Sequence, residues 1–254
     1  MRRCGLFVMI LMLICTLAQA QPVVLFDEGH GQRFLPGQSG PLHLSGLADV
    51  LREAGFRVQS TPAPLSHTLL RNVDLLVISG AFTPLQPHEI DAVQAFVASG
   101  GGLAVMLHIA PPLAGLLHRL EVDFTNGTLR EENHVLGGNP LDFRVTDLAE
   151  QPLFVGLDGF AVYGSWALRG TVPRVAELAR TSARSWVDLN RNDRLDNGDG
   201  QQPFAVLVGG SLGDGRFAVF GDDALFQNRY LDQDNRQLAI NLARWLWYGR
   251  NPDL

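Results

Sequence analysis

The sequence predicts an α/β domain built on a parallel sheet with crossover helices, followed by a β-rich inserted or appended section. Short, continuous apolar runs are typical of buried parallel strands, and segments of helical period lie between them. A succession of short β-like pieces in the second half predicts the β-rich section. Strands that alternate with helices over short connections indicate parallel pairing.

Six elements open the predicted domain. Leu44, Leu47 and Leu51 recur with helical spacing, and Gly55 stands where a helix would end. In the second helix Glu89 occupies the first turn, where the helix dipole favours an acidic residue. In chain order the predicted elements are a strand at 22–26, a helix at 42–51, a strand from 56, a strand at 73–78, a helix at 87–98 and a strand at 103–107.

After about residue 120 the pattern changes to short β-like pieces separated by polar turns, so a β-rich section is expected at about 121–200. Two longer apolar runs on either side of the glycine-rich stretch 209–215 predict a hairpin. A final helix is expected at 235–248, and no linker divides 21–254 into independent domains. The short pieces are 143–145, 161–163, 166–168 and 175–178, and the hairpin strands are 204–208 and 216–220.

Residues 1–20 have the order of a secretory signal peptide: two arginines, an apolar stretch from 6 to 17, and small residues ending at Ala20. A retained membrane anchor is the alternative, but the apolar stretch is shorter than the about 20 residues that span a bilayer. We therefore expect cleavage after Ala20. The product would be a periplasmic or secreted protein with no stable membrane anchor.

Composition excludes several classes of chemistry. Cys4 and Cys15 both lie in the predicted signal peptide, so a cleaved chain has no disulfide, no zinc-thiolate site and no cysteine nucleophile. The sequence has no lysine, which excludes Schiff-base catalysis. Loss of Arg2 and Arg3 takes the formal net charge from −6 to −8. We expect no nucleic-acid partner, because nucleic acids are bound through basic patches.

Polar residues follow three predicted strands at the point where each strand ends. Ligands of open parallel sheets collect beyond the carboxyl ends of the strands, so these residues are candidates for a common site. They could bind a ligand or partner, or Glu28, His30 and His108 could perform metal-assisted or acid-base hydrolysis of a carbohydrate or peptide. Alternatively, the carboxylates cap loops and helices. The candidates are Asp27, Glu28, His30, His108, Asp222 and Asp223.

Four segments in a fixed order carry a resemblance to a known group. They are 24–30, 103–108 after a triple glycine, 220–223 leading to Asn228, and 241–246. Together they resemble the non-catalytic class I glutamine amidotransferase-like domains, a flavodoxin-like group of gliding-motility and transporter-associated envelope proteins and an intraflagellar transport subunit. The resemblance implies a flavodoxin-like sheet and adds Asn228 to the candidate ligand-binding residues.

Active amidotransferases of that fold are similar to one another in placing a cysteine on a sharp turn after a central strand. The corresponding stretch here, 106–111, has neither a cysteine nor a serine on a G-x-S-x-G turn. The resemblance therefore implies a non-enzymatic module that binds an envelope protein partner or a small ligand.

The acidic stretch 188–199 has the spacing of a twelve-residue calcium loop. Asp193 replaces the usual turn glycine, and the closing residue is shorter than the usual glutamate. By resemblance to such calcium loops, the side chain of Leu195 is expected to face the core. The stretch is either a structural calcium site or a polar turn held by side-chain hydrogen bonds. The candidate ligands are Asp188, Asn190, Asn192, Arg194 through its carbonyl, Asp196 and Asp199.

Overall fold

The computed structural model describes residues 21–248, so the predicted signal peptide at 1–20 and residues 249–254 lie outside the described part. The helices are α1 (Ser45–Glu53), α2 (His67–Leu70), α3 (Pro87–Ala98), α4 (Ala114–Arg119) and α5 (Gln233–Tyr248). The strands are β1 (Val23–Asp27), β2 (Arg57–Thr61), β3 (Leu75–Ser79), β4 (Gly102–Met106), β5 (Val122–Arg130), β6 (Val135–Leu136), β7 (Asn139–Val145), β8 (Asp147–Leu148), β9 (Phe160–Tyr163), β10 (Trp166–Gly170), β11 (Val175–Arg180), β12 (Trp186–Val187), β13 (Gly200–Gln201), β14 (Ala205–Leu212) and β15 (Gly215–Phe220).

Five parallel strands form the centre of the main sheet, in the order β2, β1, β3, β4, β15. Every residue of β1, β3 and β4 is buried, because helices cover both faces of the sheet there. The prediction of a parallel sheet with crossover helices is confirmed for this part of the molecule.

Beyond β15 the sheet continues with antiparallel strands. β14 pairs with β15, and the sheet then runs through β10, β5, β12 and β13, while β11 and β8 branch from β14. A second sheet contains β6, β7 and β9. The fold is therefore a mixed α/β fold with one large sheet. Most of the predicted β-rich section is a continuation of that sheet, and only β6, β7 and β9 stand apart from it.

The two faces of the parallel strands have separate apolar cores. Leu47 of α1 and Leu242 of α5 share one core with Phe26, and Val93 of α3 shares the other with Leu25. Neighbouring residues of β1 thus point into opposite cores, as strand geometry requires. This arrangement leaves the carboxyl ends of the central strands, and the loops that follow them, at one edge of the sheet.

Most predicted elements lie where the local pattern placed them. Helix α3 has its predicted bounds, and α5 begins two residues earlier than expected, at Gln233. The predicted hairpin is present, but β14 runs through Gly209, so the turn contains only Gly213 and Asp214. Gly213 has a φ of 58°, as tight hairpin turns require. Between residues 21 and 248, no helix combines the length and apolarity needed to cross a membrane.

Candidate functional site

The predicted ligand-binding residues lie at the carboxyl edge of the parallel strands. Strands β1, β3, β4 and β15 are consecutive in the sheet, so the loops after them are neighbours. Asp27 ends β1, His108 lies two residues after β4, and Asp222 and Asp223 lie just after β15. The side chains nevertheless form two separate hydrogen-bonded clusters.

The first cluster is a buried chain of Asp27, His30 and Glu89. Asp27 Oδ2 lies 2.7 Å from His30 Nδ1, and Glu89 Oε2 lies 3.1 Å from His30 Nε2. Glu89 also accepts the backbone N–H groups of Leu65 at 2.9 Å and of Gln86 at 2.8 Å. The sequence placed Glu89 only in a helix first turn, and its contact with His30 was not predicted.

Charge and burial compete in this cluster. Burial alone would lower the pKa of His30, but the hydrogen bonds and negative charge of Asp27 and Glu89 outweigh it and raise the pKa. Burial would raise the pKa of Glu89, but the backbone N–H of Gln86, His30 and the N–H of Leu65 together lower it. Both ring nitrogens of His30 are occupied by protein carboxylates, so the cluster joins the loop after β1 to α3.

The backbone of His30 strengthens the same connection. Its carbonyl oxygen accepts the N–H groups of Phe82 and Thr83, each at 2.9 Å. The loop after β1 is thereby joined to the loop after β3 as well as to α3.

Two other candidates lie apart from this cluster. Glu28 is partly buried, and its backbone N–H donates to Thr61 O at 2.8 Å. Asn228 accepts the N–H of Gly46 at 2.7 Å and donates to Gly40 O at 2.8 Å and to Ser45 Oγ at 3.1 Å. The amide of Asn228 is thus used within the protein, where it holds the start of α1 against the loop that precedes it.

The second cluster is built around His108. Its Nδ1 lies 3.0 Å from Asp223 Oδ1, and its side chain is 40% exposed whereas that of Asp223 is 2% exposed. The rings of Phe34 and Phe82 flank the imidazole, each with its centroid 5.2 Å away. The guanidinium of Arg33 lies over Phe82, 4.5 Å from the ring centroid. Neither phenylalanine nor Arg33 was predicted, because loop aromatic residues carry no spacing signal.

Two adjacent buried carboxylates lie behind this imidazole. Asp222 accepts the N–H groups of Tyr163 at 2.7 Å and Ala224 at 2.8 Å, and burial, with the charge of Asp223, raises its pKa to about 8. The second oxygen of Asp223 has no hydrogen-bond partner among the described residues. It faces Gly80, whose φ is 61° and where a Cβ would come within 2.5 Å of it.

The surroundings of His108 favour its charged form. The hydrogen bond to Asp223 raises the pKa, and the negative charges of Asp223 and Asp222 add to the rise, while burial and Arg33 act in the opposite direction. The net pKa is above the ordinary value. Since Nδ1 faces Asp223, Nε2 is the ring nitrogen left for a ligand. Within the described residues, no hydroxyl or thiol donates to this ring.

The acidic stretch forms a compact exposed loop. Buried Asp188 accepts the N–H groups of Asn192 at 3.1 Å and Asp193 at 3.0 Å, and Arg130 also donates to it. Burial would raise the pKa of Asp188, but these donors lower it. Asp193 has a φ of 62°, so it adopts the backbone conformation that a glycine usually supplies at that position.

The remaining candidate ligands lie around Asp196. Its Oδ2 accepts both side-chain amides, of Asn190 at 2.7 Å and of Asn192 at 2.9 Å. Asp199 accepts the N–H of Asp196 at 3.1 Å. The expectation that Leu195 faces the core is wrong, because this residue is 42% exposed and the loop lies outside the core. In the range 21–248 no three His, Asp or Glu side chains meet as a metal-holding group.

The chain has a mixed α/β fold, with polar residues at the carboxyl edge of its parallel strands. Residues 36–243 match the family described as Domain of unknown function (DUF4350). The chain belongs to that family. No curated protein matches it.

Several solved structures share the fold. The mmIFT52 N-terminal domain is 16% identical, with 88% of this chain and 97% of that chain covered and a TM-score of 0.69. A cytoplasmic protein from Salmonella typhimurium is 15% identical, with coverage of 89% and 100% and a TM-score of 0.60. A ThuA-like protein from Bacteroides uniformis is 15% identical, with coverage of 90% and 93% and a TM-score of 0.58. At these identities the likeness concerns the fold.

Proposed function

We propose that the protein is an exported, non-enzymatic binding module. It holds an envelope protein partner or a small ligand around His108, at the carboxyl edge of the parallel strands. The observation that carries this proposal is a half-exposed imidazole fixed by Asp223 and flanked by Phe34 and Phe82. An exposed side chain normally keeps its rotamer freedom, and ordering it costs free energy. A surface imidazole that is already ordered, at the edge where such sheets bind ligands, is typical of a binding site.

The proposed class of partner follows from the sequence. The arginines and apolar stretch at 1–20 support export to the periplasm or beyond. The four segments that resemble the flavodoxin-like envelope domains support a role beside gliding-motility or transporter-associated components. The absence of cysteine from 21–254 supports a non-enzymatic role within that group.

A hydrolase is the second candidate, and one observation favours it. An imidazole backed by a buried carboxylate, as His108 is by Asp223, has the arrangement of a general base that activates water. The predicted partner His30 does not support this candidate, because its nitrogens face Asp27 and Glu89.

Photocrosslinking in cells distinguishes the two candidates. With p-benzoylphenylalanine in place of Phe82, we expect a discrete adduct with an envelope component that is lost when His108→Gln is added. The same photoreactive residue in place of Val155, which is exposed beside α5, is the matched control and should give no such adduct. Turnover of chromogenic esters, peptides or glycosides that requires both His108 and Asp223 would instead establish a hydrolase.

We further propose that 188–199 binds calcium and that the ion stiffens this loop. The support is a set of oxygen side chains at calcium-loop spacing, together with the positive φ of Asp193. Asp188, Asn190, Asn192, Asp196 and Asp199 would supply side-chain oxygens, and Arg194 its carbonyl.

Thermal unfolding with calcium and with a chelator tests the calcium site. A ligand at about a hundred times its dissociation constant stabilises the folded state by about 2.7 kcal/mol, so the melting temperature should rise by several degrees in calcium. Asp196→Ala should abolish the rise, and Asp49→Ala, an exposed carboxylate on α1, should keep it. An unchanged melting temperature of the parent chain in excess calcium would identify the loop as a polar turn.

A further inference from the structure

The proposed binding edge also indicates what its ligand is made of. We infer that the ligand carries an oxyanion, a carboxylate or a phosphate, on an apolar body: His108 and Arg33 face the oxyanion, and Phe34 and Phe82 contact the body. This inference rests on the proposed function and specifies the class of ligand at the same site.

The first observation is the orientation of the imidazole. Asp223 occupies Nδ1, so the protonated ring presents a single outward donor, Nε2. The second oxygen of Asp223 has no other partner among the described residues and is buried against Gly80. The charge of this carboxylate therefore acts on His108 and stabilises the imidazolium, which binds anions through a charge-assisted hydrogen bond.

The second observation, independent of the first, is Arg33. Its guanidinium is exposed and lies over Phe82, the same ring that flanks His108. Among the described residues no carboxylate forms an ion pair with it, and its charge acts on His108. An arginine that stacks on an aromatic ring is held in place while its donors stay available for an oxyanion.

The positively charged groups of the site, His108 and Arg33, are exposed, whereas the two carboxyls behind the imidazole are buried. Asp223 contacts the imidazole from behind, and burial, with the charge of Asp223, raises the pKa of Asp222 to about 8. His108 and Arg33 supply the positive charge. Because the oxyanion requires the protonated imidazole, affinity should fall as the pH rises through the pKa of His108.

The test uses NMR of the chain from residue 21 to residue 254, with benzoate and phenyl phosphate as probes and benzamide as the neutral isostere of benzoate. We expect one or both anions to shift the His108 Hε1 signal and raise the pKa of this histidine, and benzamide to do neither. A hydrogen bond to a charged group contributes about 1.5–3 kcal/mol, so His108→Gln should weaken anion binding about tenfold or more.

Matched variants measure how much the charges of Arg33 and Asp223 each contribute to anion binding. Arg33→Gln should weaken binding severalfold, whereas Arg57→Gln, which removes an exposed arginine from the edge strand β2, should leave it unchanged. Asp223→Asn should lower the pKa of His108, so anion binding should be weak at pH 7.5 and recover at pH 5.5. That recovery would also show that the variant is folded.

Three results would overturn the inference: equal binding of benzamide and benzoate, equal losses in Arg33→Gln and Arg57→Gln, or no shift with either anion. Binding of only one anion would identify the oxyanion as a carboxylate or a phosphate. If the Phe82 adduct forms in cells but neither anion binds, the oxyanion assignment is wrong and the binding module stands. If the adduct is also absent, the proposed function itself fails.

Discussion

Replacing Glu89 by alanine should lower the free energy of unfolding by about 3–5 kcal/mol, the usual cost of removing one partner from a buried ion pair. Glu89 is 2% exposed, and its loss would leave His30 Nε2 and the N–H groups of Leu65 and Gln86 without an acceptor. Urea denaturation of the parent and variant chains at pH 6 measures the difference.

Asp91→Ala on the same helix is the matched control. Its carboxylate is exposed and pairs with Arg119, so its loss should cost about 1 kcal/mol or less. If the two variants are equally stable, the buried cluster does not stabilise the fold.

The effect of Glu89→Ala should also depend on pH in both directions. The pKa of His30 is raised, so its contribution to stability is complete below its ordinary value of 6.5 and is lost as the pH rises through the folded-state value. The pKa of Glu89 is lowered, so its contribution is present above its ordinary value of 4.5 and is lost as the pH falls through the folded-state value. The stability difference between parent and variant should therefore be largest between these limits.

The second large effect is expected from Gly221→Ala. A Cβ at this position would overlap the carbonyl oxygen of Trp166 and approach Ser165 Oγ to 2.5 Å. Gly221 also donates to Val206 O at 2.9 Å and accepts the N–H of Trp166 at 2.7 Å, so backbone on both sides prevents it from moving away. Overpacking a fixed site costs about 1–3 kcal/mol, and contact with main-chain atoms places this variant at the upper end, about 3 kcal/mol.

Gly37→Ala serves as the control, because nothing lies within 4 Å of a Cβ there. The free energy of unfolding is the measurement for both variants. A second measurement is the NMR signal of His108, which should move in Gly221→Ala because Asp222 and Asp223 follow the substituted residue directly. A folded Gly221→Ala chain with parent stability would show that the backbone around Trp166 can yield.

The parallel half of the fold could be predicted from the sequence because its signals are local. Continuous apolar runs identified β1, β3 and β4, and helical spacing identified α3 and α5. Of the antiparallel extension only the hairpin of β14 and β15 was predicted, since the pairing of the other strands depends on contacts distant in sequence. Strand β5 was not predicted for a different reason: its central residues, Asn126 and Gly127, are of types that favour turns and are rare in strands.

For the candidate site, the sequence predicted where the residues lie but not which of them form hydrogen bonds with one another. Strand ends placed Asp27, His108 and Asp223 at one edge, because parallel strands share a direction. Which groups would pair was not predictable: Glu89 lies 59 residues from His30, and Asp223 lies 115 residues from His108. Loop geometry decides these pairings, and a single sequence does not encode it in any short pattern.

If the edge binds a ligand as proposed, the carbonyl oxygen of His30, which accepts hydrogen bonds from both Phe82 and Thr83, should affect how quickly binding occurs. These hydrogen bonds join the segment bearing Arg33 and Phe34 to the segment bearing Phe82, so we expect the two sides of the edge to keep a fixed separation. A ligand of the proposed kind would then meet a preorganised surface and lose little conformational entropy on binding. Its association rate should be governed by diffusion and electrostatic attraction to the edge, without a prior rearrangement of the loops.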